Sequence, residues 1–488
     1  MKTRYSSLYF VVMLMLAIPA CEVVDLDPVS TLTEANFYKT ADDMDKAVLG
    51  VYSRYQSRMP RDWTLLEMPT DHLYMSSYRH IGGLEAINNL DFQPQNDIIR
   101  NFWQSTYNGI ARANTVLTYL DVPDDYIGTR KEQLEAEAKF MRALFYFDLV
   151  RVFGGVPKVT GILSIDESRE TPRAPAEEIY ALIIADLTDA IQKLPGQEAM
   201  ARGRATKGAA VALLGKVYIY MEDWENAYRY LEQADEFHYR LLDDFASLWK
   251  VANEDNDEVI FAMKYIENEN GHLLSSDFIP YFGVEGVASS GLEVALLAWG
   301  LHKEYDPADT RKAATVAEYW KAPGSAGPEE WRPYVKKFAV PHSGRTSSGL
   351  DLPVLRYADI LLLKAEALYH LNRPAEALAE LNKVRARAFG NTSHNYTLAD
   401  IASPEDFLDK LLLERQLELA FENQRWFDLV RTGRFMEELD QVEWSYNKAT
   451  ETPQVVDLDP RPHFKYFPIP QHEIDQASPG VLTQNEGY

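Results

Sequence analysis

The stretch ATKGAAVALLGKVYIYMEDWENAYRYLEQA, residues 205–234, decides the fold. It reads as a helical hairpin. With Gly208 taken as repeat position 1, Leu214, Gly215, Tyr218, Ala227 and Ala234 fall on the tetratricopeptide pattern. Small residues at Gly215 and Ala227 let the two helices approach closely, and Leu214 and Tyr218 fill the groove between them. A weaker copy spans about 358–387, with Ala365, Ala377 and Leu381 in register and Asn372-Arg373-Pro374 at the turn. Two copies so far apart predict a helical-repeat scaffold interrupted by a long insertion.

Helical signals continue upstream. Over roughly 131–152, Leu134, Ala138, Met141, Phe145, Leu149 and Val152 recur at helical spacing, and Gly154-Gly155 before Pro157 is a stop. A further helix is expected over roughly 175–193, opened by Pro175, Glu177 and Glu178 and closed by Leu194-Pro195-Gly196. The stretch from about 240 to 350 is rich in Gly and Trp and poor in helical period. Residues 53–108 are rich in aromatic and turn residues, and about 436–488 looks irregular. The expectation is a mostly α protein with one domain over 21–488: a tetratricopeptide-like scaffold over about 30–235 and 351–435, a loop-rich insertion over about 240–350 and an irregular end.

Composition excludes several classes. The chain has 488 residues, 49 basic and 74 acidic side chains, and one cysteine. A net charge of −25 argues against general nucleic-acid binding. One cysteine permits neither an internal disulfide nor a Cys-rich zinc site. Its place is informative. Lys2 and Arg4 precede the apolar run Leu8 to Ala17, too short to span a bilayer, and Ile18-Pro19-Ala20-Cys21 follows. This reads as a signal peptide over 1–20 with a lipobox, in which Cys21 is acylated and becomes the new N-terminus. Losing Lys2 and Arg4 makes the chain more acidic by two charges.

Catalytic signatures such as G-x-S-x-G, H-E-x-x-H and a Walker loop are missing. The ten histidines are scattered, so no metal or other cofactor is expected. Glu67 and Asp71 stand four apart, but local spacing does not define a glycosidase acid pair. In DKLLLERQLELAFENQRWFDLVR, residues 409–431, the charges Arg415, Glu418, Glu422 and Arg425 recur on one face of a continuous helix, extended by Asp428 and Arg431. That helix is apolar enough to be buried, so the stripe reads as a paired internal network.

Aromatic residues in irregular segments are the other constellation. Their faces stack on the C–H faces of sugar rings, while nearby polar groups hydrogen-bond hydroxyls. Asp71, Tyr74, Tyr78 and Arg79 in the early loop, with Tyr281, Trp320 and Trp331 in the insertion, are the candidate ligand residues. The competing role for each is packing. Trp103 and Trp426 sit within helical patterns and read as core.

These motifs line up with a family. The lipobox Cys21 is followed by Asp25-Leu26-Asp27-Pro28. Then come Trp103 with Tyr107-Asn108-Gly109-Ile110, and Arg151-Val152-Phe153-Gly154-Gly155-Val156-Pro157. Arg356-Tyr357-Ala358-Asp359, Arg425-Trp426-Phe427-Asp428, Phe467-Pro468-Ile469-Pro470 and Asn485-Glu486-Gly487-Tyr488 complete the set. Together they resemble the SusD/RagB family of nutrient-binding outer-membrane lipoproteins of Bacteroidetes. The resemblance implies a lipid-anchored protein at the outer face of the outer membrane. It implies a ligand that is an oligosaccharide, or in some members a peptide, taken without chemical change. It also implies a SusC-like TonB-dependent transporter partner on which the protein acts as a lid. A pure protein-interaction scaffold is the remaining alternative. The matched motifs are scaffold residues, so the resemblance assigns no ligand contact.

Overall fold

A computed structural model of the protein describes residues 37–488. Cys21 and the leader lie outside the described residues. The longer helices, numbered here in chain order, are α1 (Ala41–Arg58), α2 (Asp97–Tyr119), α3 (Arg130–Phe153), α4 (Ala176–Lys193), α5 (Lys207–Tyr220), α6 (Trp224–Gln233), α7 (Tyr357–His370), α8 (Pro374–Phe389), α9 (Pro404–Leu419) and α10 (Arg425–Arg431). Each of α1 to α8 packs on the next, so the scaffold grows as a chain of helix pairs. Among the described residues no helix is long and apolar enough to cross a membrane.

The repeat hairpin forms where its pattern places it. Thr206 caps α5 by accepting from the Ala209 amide, and Asp223 caps α6 by accepting from that of Asn226. Leu214, Ala227 and Ala234 are fully buried. Gly215 is required by the close approach: a Cβ there would lie 2.8 Å from the Leu231 side chain and 3.0 Å from its backbone nitrogen. Tyr218 stacks on Tyr230 with ring centroids 5.6 Å apart. The second copy, α7 and α8, packs directly on the first through α6 and α7. The insertion therefore leaves the chain between two adjacent repeats, and the scaffold closes beneath it.

The insertion carries short paired strands. With β1 (Leu73–Met75), they are β2 (Val259–Met263), β3 (Ala295–Leu297), β4 (Val316–Trp320), β5 (Glu330–Val335) and β6 (Leu352–Arg356). β2 pairs with β6 and ties the two ends of the insertion together. β1 pairs with β3, and β4 with β5. The C-terminal segment is more regular than its composition suggests: β7 (Gln441–Asn447) and β8 (Thr452–Asp457) form an antiparallel hairpin.

One expectation about the charged stripe is corrected. Residues 409–431 are two helices, α9 and α10, not one. The helix ends at Ala420 with ψ 129°, and Phe421 and Asn423 take positive φ of 66° and 61°. Lys337 of the insertion explains the break: its buried Nζ donates to the Glu418 and Ala420 carbonyls at 3.2 and 2.8 Å. The charges do form a paired network, but a tertiary one. Glu418 receives Arg356 at 2.7 Å, Arg387 at 2.6 Å and Arg311 at 3.1 Å. Arg356 also reaches Glu258 at 2.9 Å and Glu422 at 2.6 Å. Burial opposes the charge on Glu418, yet the three guanidiniums hold its carboxyl well below the usual range. One turn earlier on α9, Arg415 bridges Asp359 at 2.8 Å and Asp428 at 2.7 Å. Because Arg311, Lys337 and Glu258 belong to the insertion, this buried network clamps insertion to scaffold.

Candidate functional site

The candidate site is an aromatic face built where the early loop meets the insertion. Pairing of Met75 with Ala295 and the Ser76 amide on the Val294 carbonyl at 3.0 Å bring residues 76–81 beside 279–294. Tyr78 then stacks on Tyr281, with ring centroids 5.9 Å apart and planes at 22°. Tyr78, Tyr281 and Phe282 remain 52%, 37% and 54% exposed. Contiguous exposed apolar surface of this kind marks interaction or ligand-binding sites.

Beneath the rings lies a small apolar cluster of Ile279, Val284, Trp320 and Tyr334, separate from the main core. The Trp320 indole donates to the Gly283 carbonyl at 2.5 Å. Gly283 has φ +78°, a conformation that favours glycine and turns this carbonyl inward. Arg332 fills the gap between the rings, its guanidinium carbon 5.0 Å from the Tyr78 centroid and 5.1 Å from that of Trp320. It forks onto Glu293 at 2.7 and 2.6 Å, and Glu293 also accepts from the Tyr281 amide at 2.7 Å. Glu293 thus fixes both the arginine and the Tyr281 backbone.

The opposite face of the β4–β5 hairpin carries a second group of rings, because successive strand residues point to opposite sides. Trp331 packs edge-on to Tyr319 at 5.4 Å and Trp299 at 5.9 Å. Trp299 stacks on Tyr446 of β7 at 4.0 Å, and Lys448 lies 4.7 Å from the Trp331 centroid. The Trp331 indole nitrogen is buried without a partner among the described residues.

The structure separates the other candidates. Tyr74 is half-buried and stacks on Trp444 at 6.0 Å. Burial first, then the charge of Glu293, pushes its phenol up to about 12. Asp71 is engaged away from the rings: Arg425 reaches its two oxygens at 2.9 and 2.7 Å, and Gln416 donates at 2.8 Å. Burial opposes its charge, but Arg425 holds the carboxyl below the usual range. Glu67 is fully buried and meets His72 at 2.9 Å, so Glu67 and Asp71 do not face a common cleft. Trp103 and Trp426 are core, as their helical settings suggest. Arg79 is exposed beside Tyr78 and makes no hydrogen bond or ion pair among the described residues. The nearby carboxyl of Asp277 is pushed up to about 7 by burial, against the pull of Arg61, the Trp63 indole and Arg79.

Arg332, Glu293, Tyr319, Trp444 and Tyr446 escape the sequence reading. A signal for part of this exists. Glu318-Tyr319-Trp320 and Glu330-Trp331-Arg332 flank the Pro/Gly-rich 322–328, and Trp444-Ser445-Tyr446 alternates before Asn447-Lys448, which are hairpin patterns. No group of three His, Cys, Asp or Glu side chains among the described residues could hold a metal ion.

Two family models match the chain: "SusD family" over 298–488 and "Starch-binding associating with outer membrane" over 25–219. The chain is 27% identical to "SusD-like protein P2" of Formosa agariphila, over 98% of both chains. It is 21% identical to "Starch-binding protein SusD" of Bacteroides thetaiotaomicron, covering 76% of this chain and 75% of that one. Among solved structures it resembles a "Laminarin binding SusD-like protein" with TM-score 0.75 and 27% identity, over 92% of this chain and all of that one. The fold also matches surface glycan-binding protein A from Bacteroides thetaiotaomicron, with TM-score 0.75 over 92% of this chain at 23% identity. With the helical scaffold in place and both ends of the chain matched, the chain belongs to the SusD/RagB family.

Proposed function

We propose that the protein binds oligosaccharide on the Tyr78–Tyr281 face and passes it, chemically unchanged, to a SusC-like TonB-dependent transporter that it covers as a lid. The observation that carries the reading is the pair of exposed stacked rings held by Arg332 and Glu293. Flat exposed rings on a rigid support suit the apolar faces of sugars, and their rigidity lowers the entropy lost on binding. Relatives bearing the names laminarin-binding and starch-binding support the ligand class, and those names denote binding rather than catalysis. Outer-membrane association accords with the matched family model, and the anchor is assigned to Cys21.

Native affinity electrophoresis against a glycan panel tests the reading. Retarded migration on a glycan, relieved in Tyr78→Ala and Tyr281→Ala, is expected. Trp320 is a poorer probe, because its truncation would empty the cluster beneath the rings. Peptide binding with no glycan retarded would move the ligand class. A product shortened during incubation would show catalysis instead. Co-purification with a transporter of this type, strengthened by glycan, tests the lid role.

A further inference from the structure

We propose that this face selects sugars bearing an anionic group, a uronic carboxylate or a sulfate ester, through Arg79 and Arg345. The inference rests on the glycan reading above and narrows it. Arg345 reaches across the platform from the far side, its guanidinium carbon 5.6 Å from the Tyr281 centroid and its Nε donating to Ser290 Oγ at 3.0 Å. Arg79 follows Tyr78 in the chain and is exposed. Neither makes an ion pair with a carboxylate among the described residues, although the charge of Arg79 acts on the Asp277 carboxyl, whereas most cations of this acidic chain are ion-paired.

The carboxylates nearby are already committed. Glu293 is held by Arg332 at 2.6 Å, Glu285 by Lys321 at 3.0 Å, and Asp277 by Arg61 at 3.1 Å and the Trp63 indole at 3.2 Å. Two exposed guanidiniums without an ion-pair partner therefore remain near the rings, and guanidiniums donate and never accept. A neutral sugar satisfies them weakly. A carboxylate or sulfate matches the planar fork and forms the stronger charge-assisted bonds. The overall charge of −25 makes this local excess of cations a property of the site and not of the surface at large.

Isothermal titration of the full chain with oligogalacturonate, a sulfated carrageenan oligosaccharide and a laminarin oligosaccharide tests this. One anionic ligand is expected to bind at least ~10-fold tighter than laminarin, with affinity falling as salt rises. The Arg79→Gln/Arg345→Gln variant is expected to lose at least ~10-fold for that ligand, with unchanged circular dichroism, as befits exposed charge-assisted contacts. Which anionic arm binds separates carboxylate from sulfate. Equal or preferred binding of laminarin, or anionic binding untouched in the double variant, overturns the inference and leaves the glycan reading standing. Absence of binding to all three saccharides, with peptide bound instead, overturns both.

Discussion

Arg332 and Glu293 meet at 2.6 Å directly under the exposed rings, with the arginine between Tyr78 and Trp320. Both residues belong to the insertion, and the Arg332 guanidinium against the Tyr78 ring adds a contact to the early loop beside the β1–β3 pairing and the shared core. The strength of the pair decides how firmly the platform is held.

Glu293→Gln is expected to loosen the platform without unfolding the protein. Arg332 keeps partial access to water, so the stability loss is smaller than the ~3–5 kcal/mol of a fully buried broken pair. Glycan affinity is expected to fall about tenfold, ~1.4 kcal/mol, in titration. Unchanged affinity would show that the pair does not hold the rings.

Glu418→Gln removes the charge that three buried arginines share. Urea unfolding is expected to show a loss of about 3–5 kcal/mol, because the guanidiniums remain buried and underpaired. The wild-type contribution has a pH sign. The folded carboxyl sits below its unfolded value, so its stabilisation is complete above the unfolded value of about 4.3 and drains as pH falls below it. The variant should therefore lose less stability than wild type on acidification.

Asp277 carries the opposite sign. Burial, only partly offset by Arg61, the Trp63 indole and Arg79, raises it to about 7, and its Oδ1 has no hydrogen-bond partner among the described residues. The folded state holds this proton more tightly than the unfolded chain, so stability falls as pH rises from about 4 to 7. Asp277→Asn is expected to remove this component, raising stability at pH 8 relative to wild type while leaving that at pH 4 nearly unchanged. Asp62, also raised to about 7 by burial despite Arg58, would retain its share of the slope. Parallel unfolding curves for the two proteins across that range would refute the assignment.

Gly215→Val places side-chain atoms where Leu231 already packs. Overpacking of this kind costs about 1–3 kcal/mol, measurable as a lower denaturation midpoint with an unaltered slope. Tolerance of valine would mean that α5 and α6 can separate.

Cys21→Ser should abolish fatty-acid labelling and move the protein from the membrane to the soluble fraction. Persistent labelling would show that the acyl chains sit elsewhere.

The sequence by itself determined the repeat scaffold, because helical periodicity and the need for a small residue at Gly215 are local constraints, readable within about thirty residues. It also marked Tyr78, Tyr281 and Trp320 as aromatic residues in poorly helical segments, without stating what they touch. Only the tertiary structure decided that Asp71 belongs to an ion pair with Arg425, that Lys337 breaks the charged stripe after Glu418, and that Arg332 lies between rings from two distant segments. The physical reason is the range of the interactions. Caps and apolar spacing act over a few residues, whereas the platform exists because strand pairing between Met75 and Ala295 closes a chain separation that no local pattern encodes.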